Sequence, residues 1–139
     1  MKETGILNAE IASAISRLGH MDEMIISDAG FAAPRDVPVI DISLTVNKPT
    51  VLEVMDELLK HFSVEKAVLA EETRQTGPTR FADIVGLFPE DVEVEVIPHA
   101  ELKRRSREVK VIVRTGDFTS YSNVLLVSGA GPRWYSEVR

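Results

Sequence analysis

The sequence contains no cysteine, which excludes disulfides, thiol nucleophiles, thiolate zinc sites and iron–sulfur ligation. Positive charge is also short. Sixteen Lys plus Arg stand against 22 Asp plus Glu, a net charge of −6, which argues against a nucleic-acid or anionic-membrane partner. No apolar run approaches the roughly 18 residues of a membrane span, and Met1-Lys2-Glu3-Thr4-Gly5 lacks the apolar heart of a signal peptide. A soluble, cytoplasmic protein is expected. Repeats, low-complexity tracts and phosphate loops are likewise missing, so function must come from local constellations. What is present suits one domain over residues 1–139: 44% of residues are hydrophobic and 27% charged, enough apolar surface for a core and too much for disorder.

Apolar periodicity supplies the architecture. Ile11, Ala14, Ile15 and Leu18 recur at helical spacing between a capping Asn8 and a terminating Gly19. The short apolar run 24–27 then reads as a buried strand that delivers Asp28 to its carboxyl end. A loop with Gly30, Pro34 and Pro38 leads to a strand expected over 39–44. Thr50 and Glu53 form a capping box before a helix whose face carries Val51, Val54, Met55, Leu58 and Phe62. Further on, the pattern predicts a strand over 64–70, a break at Gly77-Pro78, a helix through Phe81 to Phe88, a strand over 92–96 and a short helix over 100–107. Strands over 109–114 and 123–127 close the chain as an expected antiparallel pair. Strands alternating with helices imply a three-layer α/β/α fold with a mixed, largely parallel sheet of about six strands. In such sheets ligands gather at strand carboxyl ends, here after Asp28, Ile97 and Arg114.

The three histidines differ in setting. His20, in the turn before the first strand, is either a surface cation near a helix C-terminus or a general acid–base, since imidazole titrates near pH 6.5. His99 follows Pro98 at a strand-to-helix junction, where it caps a turn or meets a ligand. His61 lies on the polar side of its helix and reads as structural. A metal held by His20, His99 and Asp28 lacks any supporting ligand pair such as H-E-x-x-H. In the stretch from Arg114 to Asn123, Tyr121 and Asn123 would share one face if Tyr121 opened the last strand. An aromatic plate beside a carboxamide suits a sugar, although a turn with a buried tyrosine explains the same residues. Gly129-Ala130-Gly131 lacks the rest of a dinucleotide fingerprint, and Lys103-Arg104-Arg105 with Arg107 reads as a solvated face.

Taken together, Gly5-Ile6-Leu7-Asn8, Ile15-Ser16-Arg17-Leu18-Gly19-His20, Ser27-Asp28-Ala29-Gly30, Val64-Glu65-Lys66-Ala67, His99-Ala100-Glu101-Leu102-Lys103 and the stretch from Arg114 to Leu126 resemble the D-ribose pyranase and L-fucose mutarotase group, the RbsD/FucU family. The resemblance implies an isomerase that interconverts ring forms of a free sugar with no metal, nucleotide or redox cofactor. It implies that His20 transfers the proton, that Asp28 and His99 bind substrate, and that Tyr121, Ser122 and Asn123 line the sugar. It further implies a homo-oligomer, a ring of ten subunits in which the tyrosine–asparagine segment completes a neighbour's site. Arg114 before Thr115-Gly116 and the Asp28-Ala29-Gly30 loop look like the ribose branch, while Phe31 is closer to the fucose branch. Residues 130–139, with the single Trp134, form a C-terminal extension to this pattern. D-ribose is the expected substrate, with L-fucose mutarotation or a non-catalytic sugar-binding role in ribose uptake as alternatives.

Overall fold

The computed structural model describes residues 1–138, so Arg139 of the C-terminal extension lies outside the described residues. In chain order the elements are α1 (Ala9–Arg17), β1 (Glu23–Ser27), β2 (Val39–Asp41), α2 (Val51–Leu58), β3 (Val64–Ala70), α3 (Glu71–Thr76), α4 (Pro78–Val85), β4 (Glu93–Ile97) and α5 (His99–Arg105). A 3₁₀ turn follows at Ser106–Glu108, then β5 (Val111–Arg114) and β6 (Val124–Ser128). The expected caps are in place. Asn8 accepts the Ile11 N–H, and Thr50 and Glu53 exchange both bonds of a capping box.

One six-stranded sheet runs β2-β5-β1-β6-β3-β4. Five strands are parallel, and β6 lies antiparallel between β1 and β3. Strand alternation then divides the core between two faces. Met24, Ile26, Leu69 and Leu126 meet α1, α2 and α4 on one side, while Ile25, Val68 and Leu125 meet Leu102 of α5 on the other. This is the expected three-layer α/β/α arrangement. Among the described residues, no helix is long and apolar enough to cross a membrane.

Three local expectations are corrected. The last two strands do not pair: β5 joins β1 and β2, and the chain crosses the end of β1 before β6 enters the sheet on its other side. The strand expected over 39–44 stops at Asp41, whose carboxylate accepts the Ser43 N–H at 2.9 Å and turns the chain away. Residues 71–76, left without an element by the sequence pattern, form α3. No side chain caps that helix, so its only sequence cue is the acidic first turn, Glu71 and Glu72.

Candidate active site

Parallel strands point their carboxyl ends to one edge, and β6, running the other way, begins there. The segments after β1, β4 and β5 and the segment before β6 therefore converge on a single cavity of about 600 Å³. Asp28, His99, Tyr121 and Asn123 all line it, joined by Phe31, Lys103, Arg114 and Asp117. Lys103 and Arg114 are additions to the expected set. A signal for Lys103 existed in its spacing of four from His99, which puts both on one face of α5.

Backbone crossings fix the site. The loop from β5 to β6 lies across the end of β1, so Thr115 Oγ donates to the Ser27 carbonyl at 2.7 Å and the Ala29 N–H donates to the Asp117 carbonyl at 2.9 Å. Asn123 uses its carboxamide twice: Oδ1 accepts the Asp28 N–H at 2.9 Å, and Nδ2 donates to Asp28 Oδ2 at 3.4 Å. Gly30 N–H donates to the other carboxylate oxygen at 3.0 Å. Gly116 is required where the 45–49 loop passes, because a Cβ there would come within 2.8 Å of the Lys48 carbonyl oxygen.

Two buried carboxylates behave oppositely. Burial pushes the Asp28 carboxyl above its ordinary range, a tendency that bonds from Gly30, Asn123 and Phe31 only partly offset. Burial acts on Asp117 in the same direction, yet bonds from the Thr119 and Val51 N–H groups and the Arg80 guanidinium outweigh it and hold that carboxyl below its ordinary range. Asp28 faces the cavity as a group on which protonation is facilitated. Asp117 is a fixed anion.

The aromatic side of the cavity is built on His99. Its ring sits edge-on to Tyr121 at 5.0 Å and to Phe31 at 6.1 Å, and its backbone N–H donates to the Glu72 carboxylate at 3.1 Å. Nδ1 of His99 is buried with no hydrogen-bond partner among the described residues. Tyr121 reaches the cavity by a route the strand pattern did not foresee. It precedes β6 and adopts φ +58°, so the turn, and not strand alternation, brings it to the same cavity as Asn123. Ser122, expected on the sugar, is buried with its hydroxyl accepting from Arg80 at 3.3 Å and does not line the cavity.

His20 is elsewhere. The 18–22 turn joins the amino end of β1 to the carboxyl end of β6 through Met21 N–H to Ser128 and Ser128 N–H to Asp22. The five residues of β1 thus separate His20 from Asp28 by roughly 15 Å along the strand. Its side chain is 64% exposed and lies 3.9 Å from Glu65. His20, His99 and Asp28 consequently cannot meet within one chain, as a ligand set or otherwise. Tyr121 and Asn123 line the same cavity as Asp28 and His99 of their own chain. Among the described residues, no three His, Asp or Glu side chains are grouped to hold a metal ion.

A mixed α/β sheet whose strand ends frame a cavity lined by a carboxylate, a carboxamide and aromatic rings defines a class of proteins suited to a compact polyhydroxylated ligand. The chain belongs to the RbsD / FucU transport protein family, which it matches over residues 1–131. A D-ribose pyranase of Pseudothermotoga lettingae is 43% identical over 129 residues, covering 93% of this chain and 92% of that one. The structure of Bacillus subtilis RbsD complexed with D-ribose superposes with a TM-score of 0.90 at 35% identity, over 94% of this chain and 99% of that one. The fucose mutarotase of Streptococcus pneumoniae, in complex with L-fucose, shares the fold with a TM-score of 0.72 at 18% identity, over 90% and 94% of the two chains.

Proposed function

We infer that this chain is an isomerase that interconverts the β-pyranose and β-furanose forms of free D-ribose. The observation that carries this reading is the convergence of Asp28, His99, Tyr121 and Asn123 on one cavity, in a chain 43% identical to a D-ribose pyranase. Ring opening requires a base to take the proton of the anomeric hydroxyl as C1=O forms, and an acid to protonate the ring oxygen as its bond to C1 breaks. Closure reverses the roles: the C4 hydroxyl loses its proton as it attacks C1, and the carbonyl oxygen regains one. Water already performs this slowly, so acid–base help of about 10²–10⁴-fold, with positioning, is sufficient catalysis.

Asp28 and Asn123 hold hydroxyls, Tyr121 and His99 cover the C–H face, and His20 carries the proton. Because His20 lies at the opposite edge of the sheet from the cavity, it serves the cavity of a second copy. Assembly, as a ring of ten subunits, is then part of the active site. A cysteine-free chain and a free-sugar substrate suit the cytoplasm.

The test is magnetisation transfer between pyranose and furanose NMR signals of D-ribose, with and without protein. Accelerated exchange is expected. Saturable binding of ribose without acceleration would indicate a sugar-binding accessory instead, and faster α/β exchange for L-fucose than for ribose would indicate a fucose mutarotase.

A further inference from the structure

The helix pair α3–α4 lines no part of the cavity, yet three of its side chains reach the segments that do. Thr73, 0% exposed, donates from Oγ to the Tyr121 carbonyl at 2.6 Å. Arg80 of α4, its side chain 16% exposed, donates to the Asp117 carboxylate and to Ser122 Oγ. Glu72 accepts the His99 N–H.

These contacts bracket a costly conformation. Tyr121 has φ +58°, a region that bulky L-residues rarely enter and that persists only where the surroundings over-determine it. Here they do. Thr73 holds the Tyr121 carbonyl, the Asn123 N–H donates to that same carbonyl at 2.9 Å, and the Ser122 N–H donates to Thr119 at 3.3 Å. Asp117, itself fixed by Arg80, takes the Thr119 N–H at 2.9 Å. If the turn relaxed to negative φ, the tyrosine ring would leave its edge contact with His99, 5.0 Å away. The turn is therefore pinned from outside the cavity, by two residues that do not line it.

We propose that Thr73 and Arg80 are positioning residues that clamp Tyr121 in its left-handed conformation and so set the sugar-facing ring for binding. This rests on the reading of the cavity as a ribose site. Thr73→Val removes the hydroxyl while keeping the buried volume, and Thr73→Ser keeps the hydroxyl. Thr73→Val is expected to raise the KM for ribose about tenfold, the scale of one lost buried hydrogen bond, with kcat changed less, and Thr73→Ser is expected to restore most of it. Arg80→Met should act in the same direction.

A second readout does not need turnover. With ring centroids 5.0 Å apart, the His99 ring protons should carry a ring-current shift from Tyr121 in the NMR spectrum, which should collapse in Thr73→Val and return in Thr73→Ser. If ribose exchange fails in the native protein but this resonance follows the hydroxyl, the clamp stands and the substrate reading falls. A native-like KM and an unmoved His99 resonance in well-folded Thr73→Val would overturn the clamp. So would a Thr73→Val effect of undiminished size in a Tyr121→Gly background, where there is no ring left to position.

Discussion

At the carboxyl edge of the sheet, Asp28, Asn123 and Asp117 are each tied to another element by two or more hydrogen bonds, and the rings of His99 and Tyr121 brace one another. At the amino edge, the His20 side chain is largely exposed and lies 3.9 Å from Glu65. Under the proposed function, the difference matches two chemical tasks. Holding several hydroxyls at once requires groups that do not reorganise when the ligand arrives. Carrying a proton requires an imidazole that water and substrate can both reach. Neither edge of one chain does both.

The sharpest way to break this comparison is to truncate the free-standing side. His20→Ala should slow ribose ring exchange by about 10²–10⁴-fold while leaving thermal stability near native, because the side chain is exposed in the chain, and ribose affinity near native, because the cavity residues hold the hydroxyls. A large loss of ribose affinity in His20→Ala would mean that the two edges are not divided in this way. Mixing His20→Ala chains with Asn123→Ala chains, each inactive alone, should restore part of the activity after reassembly. No recovery would leave His20 without a site to serve.

The next effect is on stability. Asp117→Asn leaves Arg80 buried without its anion and should cost about 3 kcal/mol in denaturant unfolding, as breaking a buried pair does. The sign of its pH dependence follows from a folded carboxyl held below its ordinary value. That stabilisation is complete above the unfolded value of 3.8 and disappears as pH falls through the folded one. The gap between wild type and Asp117→Asn should therefore narrow in strong acid, and a gap independent of pH would remove the ion pair from the account. Gly116→Ala comes after it, at about 2 kcal/mol, since a methyl group there meets the carbonyls of the 45–49 loop. A stability unchanged in thermal denaturation would show that this loop can give way.

Much of this was legible in the chain. Helical and strand periodicity located α1, α2, β1, β3 and the carboxyl edge, because those segments bury one face or both and must display it as pattern. Asp28, His99, Tyr121 and Asn123, expected at the substrate from the family resemblance, line one cavity, although the argument for Tyr121 invoked a strand where the chain makes a left-handed turn. What could not be read depends on tertiary contact. Strand order is invisible to periodicity, so the insertion of β6 between β1 and β3 was missed. The contacts of Thr73 and Arg80 exist only because α3–α4 packs near the 117–123 loop, and Ser122, expected at the sugar from the family resemblance, meets Arg80 there. His20, read as lying in the turn before the first strand, is found there, and the extended β1 between it and Asp28 sets its distance from the cavity.

The smallest effect separates the two buried carboxylates. Asp28 carries a carboxyl pushed up by burial, so the folded chain binds its proton more readily than the unfolded chain does. Above the raised value the ionised group destabilises the fold relative to a neutral isostere, and that penalty fades as pH falls through the raised value toward 3.8. Asp28→Asn should thus raise Tm at neutral pH by about 2–4 °C, with the advantage vanishing in acid, the reverse of Asp117→Asn. The gain is small because the substituted amide keeps the bond from Gly30 but turns an N–H group toward Asn123 Nδ2, a donor that now lacks its acceptor. Ribose binding should weaken in the same variant, and this coupling is the discriminating result. A carboxylate kept ionisable in a buried, unfavourable place only for its ligand must show opposite signs in stability and affinity. Asp28→Asn that lowers Tm at neutral pH and leaves ribose affinity intact would make Asp28 one more structural anion like Asp117.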